Sequence, residues 1–248
     1  MPAGARIPRP KEMLPGGPAT WSVLPERGRR GITVDEVRRA LASAPGDAEA
    51  VAPVPGGRGV TPAELPWGGD ARPAAVLCLL FDEGDEANVV LTRRSAHLRA
   101  HSGEVSFPGG RLQPGELPLQ AALREAREEI GINAADVDVI GQLTPLTTVR
   151  SPALVHCFVG HFRGPLAGGP ELVLDPAEVE KVFWVPLARL AAEDVFHEEL
   201  WPVPEGAGRP TYRAVPFFRL DEDIVWGATG RLLAELLGAV LGRRAQPV

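Results

Sequence analysis

Residues Gly110 to Ile132 read GRLQPGELPLQAALREAREEIGI, and this stretch decides the fold. Taken as a helix from Leu117 to Ile130, it places Leu119, Ala122, Leu123, Ala126 and Ile130 on one apolar stripe, because residues three and four apart share a face. Gly131 follows the last turn, where a helix commonly ends in a residue free to take positive φ. Glu125, Glu128 and Glu129 project beside the stripe as a second cluster. Like charges at this spacing destabilise a helix by roughly 0.2–0.5 kcal/mol per pair. A hard divalent cation with oxygen ligands converts that cost into a binding site. Taken alone, the hexapeptide from Arg124 to Glu129 also suits a solvated, salt-bridged helix face.

The longer pattern is more specific. It runs Gly110, five residues, Glu116, seven residues, then Arg124-Glu125-Ala126-x-Glu128-Glu129-x-Gly131-Ile132. Seven of these positions each demand one residue type, so at background frequencies of about 7% a chance match is on the order of one in 10⁸ per window. The stretch resembles the complete signature box of the Nudix hydrolases. That resemblance implies an α/β/α sandwich on a mixed β-sheet, with the box as a loop and helix. It implies hydrolysis of a nucleoside diphosphate linked to another moiety, using Mg²⁺ or Mn²⁺. It also implies Glu125 and Glu129 as the main metal ligands, Glu128 assisting, and a backbone carbonyl from Gly110. Arg124 is expected to orient a helix carboxylate. Glu116 is either a metal-sphere ligand or the partner that fixes loop to helix. Glu178, in a later acidic loop, is a candidate acid or base, and Arg127 should face solvent.

A second motif lies just upstream. Val90 to Gly110 reads VLTRRSAHLRAHSGEVSFPGG. It is similar to the motif LLTxRSxxLRxHxGxVxFPGG of the coenzyme A pyrophosphatase branch, with Val90 in place of the first Leu. The resemblance implies hydrolysis of coenzyme A to 3′,5′-ADP and 4′-phosphopantetheine, or of acyl-coenzyme A to the acyl form. Coenzyme A carries a pyrophosphate and a 3′-phosphate, and Arg93, Arg94, Arg99 and His101 are the candidate contacts to them. Arg94 and Arg99 also suit structural salt bridges, and His101 suits a role in holding the loop. Two departures stand out: Gln113 occupies a position often acidic in the family, and Ser151-Pro152 stands where a Gly-containing turn is expected. The alternatives are a Nudix enzyme for ADP-ribose, NADH or a nucleoside triphosphate, and a Nudix-fold ligand-binding regulator without turnover.

Composition narrows the setting. The 248 residues are 44% hydrophobic, enough for a sizeable core, and carry a net charge of −6. That balance, with no basic stripe of interleaved aromatics, argues against nucleic-acid or anionic-membrane partners. Lys11 and Lys181 are the only lysines. Cys78 and Cys157 sit in apolar runs and read as buried thiols of a reducing compartment. With no apolar h-region near the N-terminus, and no apolar run longer than Ala74 to Phe81, the expectation is a soluble cytoplasmic protein. Oligomeric state is not legible.

Residues 1–73 hold 12 of the 26 prolines and read as a loop-rich N-terminal extension before a domain spanning 74–248. Within the extension, Thr33 and Glu36 form a capping box for one helix through Ala42, expected to pack on the main domain. Gly56 to Asp70 reads as a connector. Ala74 to Phe81 suits a central strand buried on both faces. Asp82 to Glu86 reads as a turn, Asn88 to Thr92 as a strand, and Arg93 to Ser106 as a loop ending in a short strand. Asp138 to Leu143, Ala153 to Phe162, Val182 to Val185, Tyr212 to Leu220 and Ile224 to Trp226 read as strands. Gly164 to Gly169 reads as a loop, and residues 192–210 as irregular. A last helix carrying Leu232, Leu233, Leu236, Leu237, Val240 and Leu241 on one side reads as core packing.

Overall fold

The computed structural model describes residues 7–42, 72–97, 102–148, 153–164, 172–203 and 211–245. Arg99, His101, Ser151, Pro152, the Gly56 to Asp70 connector and nearly all of the Gly164 to Gly169 loop lie outside them.

The apolar run at Ala74 becomes the middle of strand β2 (Arg72–Glu83). Successive side chains of a strand point to opposite faces. Ala75, Leu77, Leu79 and Phe81 therefore enter one core cluster, while Cys78 and Leu80 enter another on the opposite face. A strand covered on both sides needs no polar alternation, which explains the unbroken apolar sequence.

Strand β2 pairs in parallel with β7 (Ala153–Phe162) and antiparallel with β3 (Glu86–Arg94). Both β2 and β3 extend further than expected, leaving Gly84 and Asp85 as the connecting turn. Strand β6 (Val137–Thr148) completes one side, and β4 (Val105–Ser106) the other. Two more strands join off this path, β5 (Gly109–Arg111) on β2 and β8 (Val179–Pro186) on β3. The result is a seven-stranded mixed sheet.

The box helix α2 (Pro118–Ile130) packs on one face through Ala121, Ala122, Ala126 and Ile130. Leu119 is only partly buried and stands outside this cluster, while Ala121, off the expected stripe, enters it. Pro118 opens the helix, where its missing N–H costs nothing. Gly131 closes it at φ 77, and its N–H reaches the Arg127 carbonyl.

The other face is covered by α1 (Val34–Ala42) and α4 (Gly227–Arg244), which share one core cluster with Leu80 and Val89. The capping box forms: Thr33 N–H donates to Glu36 Oε2 at 3.0 Å and Glu36 N–H to Thr33 Oγ1 at 3.2 Å. Arg244, at the end of α4, donates to the carbonyls of Gly28, Arg30 and Gly31 and pairs with Glu36 at 2.7 Å. The short helix α3 (Leu187–Leu190) follows Pro186.

One expectation is overturned. Residues 192–210 are not simply irregular, since Phe196–Val203 forms strand β9. It lies between β1 (Leu14–Pro15) and β10 (Thr211–Leu220), and β11 (Asp223–Val225) completes a second, antiparallel sheet. The Glu198-Glu199 pair hid this strand. Glu199 is buried, but Trp201 Nε1 and Arg9 Nε each donate to its carboxylate at 2.8 Å. Pairing of this kind lets an acidic residue occupy an interior strand position.

Both cysteines are free and buried, and burial raises both thiol pKa values. Among the described residues no helix is long and apolar enough to cross a membrane.

Candidate active site

Strand alternation sends two neighbouring arginines of β3 in different directions. Arg93 donates from Nη1 to both oxygens of Asp223 at 3.1 Å and from Nη2 to Glu180 at 3.1 Å. Its charge is already neutralised, and it works as a strut between the two sheets. Arg94 instead meets α2, donating from Nη1 to Glu129 Oε1 at 3.2 Å, with Glu178 at 4.0 Å from Nη2.

Glu129 is only 2% exposed. Its second oxygen accepts the Gly109 N–H at 3.2 Å. Burial pushes its pKa up to about 7, outweighing the opposing pull of Arg94 and of that N–H, while Glu125 and Glu178 add to the rise. The Glu125 carboxyl is also raised, chiefly by burial, although Arg124 beside it favours the ion.

Glu178 immediately precedes β8, where the Ser95 N–H donates to its carbonyl at 2.8 Å. One carboxylate oxygen each from Glu125, Glu129 and Glu178 falls within 4.8 Å of the others. Three oxygen donors this close suit a hard divalent cation. Burial raises the Glu125 and Glu129 carboxyls most, and repulsion from neighbouring carboxylates adds to the rise that Arg124 and Arg94 oppose.

Arg124 organises the other acids of the box. It donates from Nε to Glu116 at 2.8 Å, and from Nη1 to Glu125 at 2.8 Å and to Glu128 at 2.9 Å. Glu116 also accepts the Gln113 N–H at 2.8 Å, and these bonds hold its pKa down. Glu116 thereby ties the loop to the helix. Glu128 lies outside the three-carboxylate group, with its side chain 56% exposed. Arg127 is exposed.

The glycine pair brings the backbone close. A Cβ on Gly110 would sit 2.5 Å from the Glu125 carboxyl carbon, and one on Gly109 would sit 2.4 Å from the Ala75 carbonyl oxygen. At Gly109 only glycine lets β5 run this close to the β2 backbone, whereas a side chain at Gly110 would displace the Glu125 carboxylate.

Glu125, Glu178, Arg94 and Gly110 line a cleft of about 660 Å³. The second sheet and the start of α4 also line it, through Trp201, Arg213, Trp226 and Arg231. Sequence reasoning missed Arg111, Arg213 and Arg231, and treated α4 only as core. Arg111 lies inside the box stretch at a position the pattern leaves open, whereas no local motif marks Arg213 and Arg231, because β10 and α4 reach the cleft only through the packing of one sheet on the other.

The chain is similar to several known proteins. The NUDIX domain family matches residues 71–204. An uncharacterised Nudix hydrolase of Photorhabdus laumondii is 37% identical over 166 residues, spanning 66% of this chain and 83% of that one. The peroxisomal coenzyme A diphosphatase of Caenorhabditis elegans is 41% identical over 127 residues, about half of each chain (50% and 52%). Among solved structures, a MutT/Nudix family protein from Enterococcus faecalis aligns over 72% of this chain and 65% of that chain, at 16% identity and a TM-score of 0.47. The chain belongs to the Nudix hydrolase family, enzymes that hydrolyse nucleoside diphosphates linked to a further group.

Proposed function

We propose that the protein hydrolyses the pyrophosphate of coenzyme A or its acyl derivatives, giving 3′,5′-ADP and 4′-phosphopantetheine or its acyl form. The observation that carries the reaction is the cluster of Glu125, Glu129 and Glu178 within 4.8 Å, two of which line the cleft. The coenzyme A assignment draws on the Val90 to Gly110 motif and on the similarity to the nematode coenzyme A diphosphatase.

Glu125 and Glu129 are the residues to hold Mg²⁺ or Mn²⁺, with the Gly110 carbonyl beside them. Such an ion supplies neutralisation of the pyrophosphate oxygens and orientation of water. Glu178, more exposed than the other two, takes the proton from the attacking water as the P–O anhydride bond breaks. Arg124 holds Glu125 and the loop in place. Arg94 fixes Glu129 and adds positive charge to the cleft. Two buried free thiols fit a reducing, cytoplasmic setting.

The test is mass spectrometry of products after incubation with coenzyme A and Mg²⁺ or Mn²⁺. Release of 3′,5′-ADP is the expected result. Turnover of ADP-ribose or NADH with coenzyme A left intact overturns the substrate assignment. Absence of turnover on every nucleotide overturns the reaction.

A further inference from the structure

The arginines of this protein are mostly spoken for: Arg93, Arg94, Arg124 and Arg244 each have carboxylate partners. Arg213 and Arg231 do not. Both line the cleft that holds Glu125 and Glu178, and neither has an ion pair or hydrogen-bonding partner among the described residues. Arg213 lies on β10, paired across the ladder with Trp201 of β9. Arg231 lies in the second turn of α4.

Two like charges on one wall repel each other unless an anion lies between them. Partial burial, and then the field of Arg231, hold the Arg213 guanidinium below its ordinary pKa, although both arginines stay open to solvent. The start of α4 adds to the positive field. Gly227, Ala228 and Thr229 face the cleft, and no side chain caps the helix. An 18-residue helix carries about half a positive charge at this end. Trp226 and Trp201, with ring centroids 5.8 Å apart, lie beside the arginines as an aromatic wall. The carboxylates that line the same cleft would repel an anion unless a cation screened them, so Arg213 and Arg231 supply positive charge to a cleft that Glu125 and Glu178 make acidic.

We propose that Arg213 and Arg231, with the first turn of α4, form a phosphomonoester subsite. It selects nucleotides that carry a further phosphate beyond the pyrophosphate, and it holds that phosphate while the pyrophosphate lies at the carboxylates. Two guanidiniums offer several charge-assisted N–H donors to a dianionic phosphate. A neutral ribose hydroxyl at the same place would leave both arginines unpaired. The subsite lies beyond the family-matched residues 71–204, so it is built by a part of the chain that the signature box does not specify.

The inference deepens the coenzyme A reading, and the experiment separates the two. Calorimetric titration in EDTA compares adenosine 3′,5′-bisphosphate with AMP, which lacks the second phosphate. The expected result is at least roughly tenfold tighter binding of the bisphosphate by the wild-type protein. The ratio should fall to near one in the Arg213→Gln/Arg231→Gln double variant, with each single variant in between. Equal binding of the two ligands by the wild type overturns the subsite, whatever the variants do. So does a ratio that survives in the folded double variant. A collapsed ratio in a protein that does not hydrolyse coenzyme A overturns the reaction and upholds the subsite.

Discussion

Arg94 donates to Glu129 at 3.2 Å, and through this contact the loop-proximal end of β3 is fastened to the last turn of the box helix. The two residues are 35 positions apart and belong to two different motifs. Without Arg94 the buried carboxyl must take up a proton or stay charged and unsolvated, a loss that appears only where the wild-type carboxyl is ionised. In the metal-free protein Arg94→Ala should therefore lower stability markedly at pH 8. At pH 5.5 Glu129 is protonated and the loss should be small. Urea unfolding at the two pH values checks this, and an equal loss at both would contradict it.

Glu129 also sets a pH dependence of its own. Its folded pKa of about 7 lies above the 4.5 of an unperturbed carboxyl. Between these values the folded protein holds a proton that the unfolded chain has released, so stability falls as pH rises from 4.5 towards 7. The full penalty, about 3 kcal/mol, is present above the folded value and absent below the unfolded one. Glu129→Gln should then melt higher than the metal-free wild type at pH 8 and nearly with it at pH 4.5. The same variant should lose at least roughly a hundredfold in turnover. Near-normal turnover would remove the metal mechanism.

Glu178 is assigned the proton rather than the ion. Glu178→Gln should lower kcat by roughly 10²-fold, the usual scale for a general base. Mn²⁺ affinity, read by calorimetry, should change much less than in Glu125→Gln. If Mn²⁺ affinity falls equally in both variants, Glu178 is a ligand and the base lies elsewhere.

Gly110→Ala puts a methyl group 2.5 Å from the Glu125 carboxyl carbon. The carboxylate sits at the end of a flexible side chain and can swing aside, so the fold should survive with a small change in Tm. Displacement of a catalytic group by about 1 Å costs roughly 10²-fold in rate. Unaltered kcat in this variant would show that Glu125 does not need its observed position.

Arg244 anchors the N-terminal segment through three carbonyls and Glu36. Arg244→Ala should cost about 2 kcal/mol, given a net value near 1 kcal/mol per hydrogen bond and partial exposure. Hydrogen exchange should quicken first at α1. Unchanged protection there would mean that apolar packing alone holds the segment.

The legible parts of this protein were those whose physics is local. Pro118, the apolar stripe and Gly131 mark the start, face and end of α2 within a few turns. The same holds for the capping box of Thr33 and Glu36, and for the apolar run of β2. Strand β9 was missed because Glu198 and Glu199 read as polar loop, and their stabilising partner Arg9 is 190 positions from Glu199. Placement differed in a similar way for the acids. Helical spacing groups Glu125, Glu128 and Glu129 together, but Glu128 turns outward to Arg124, and Glu178 arrives from the turn before β8 to join the other two.

By itself the sequence determined the box helix and the buried central strand, since each follows from residue order within one stretch of chain, and the box's resemblance to the Nudix family implied the class of reaction. Tertiary structure alone decided which carboxylates converge, that Arg93 is a strut while Arg94 faces the site, and that Arg213 and Arg231 stand unpaired across the cleft. Electrostatic environment depends on what lies within a few ångströms in space, and the packing of two sheets brings together charges that no sequence spacing relates.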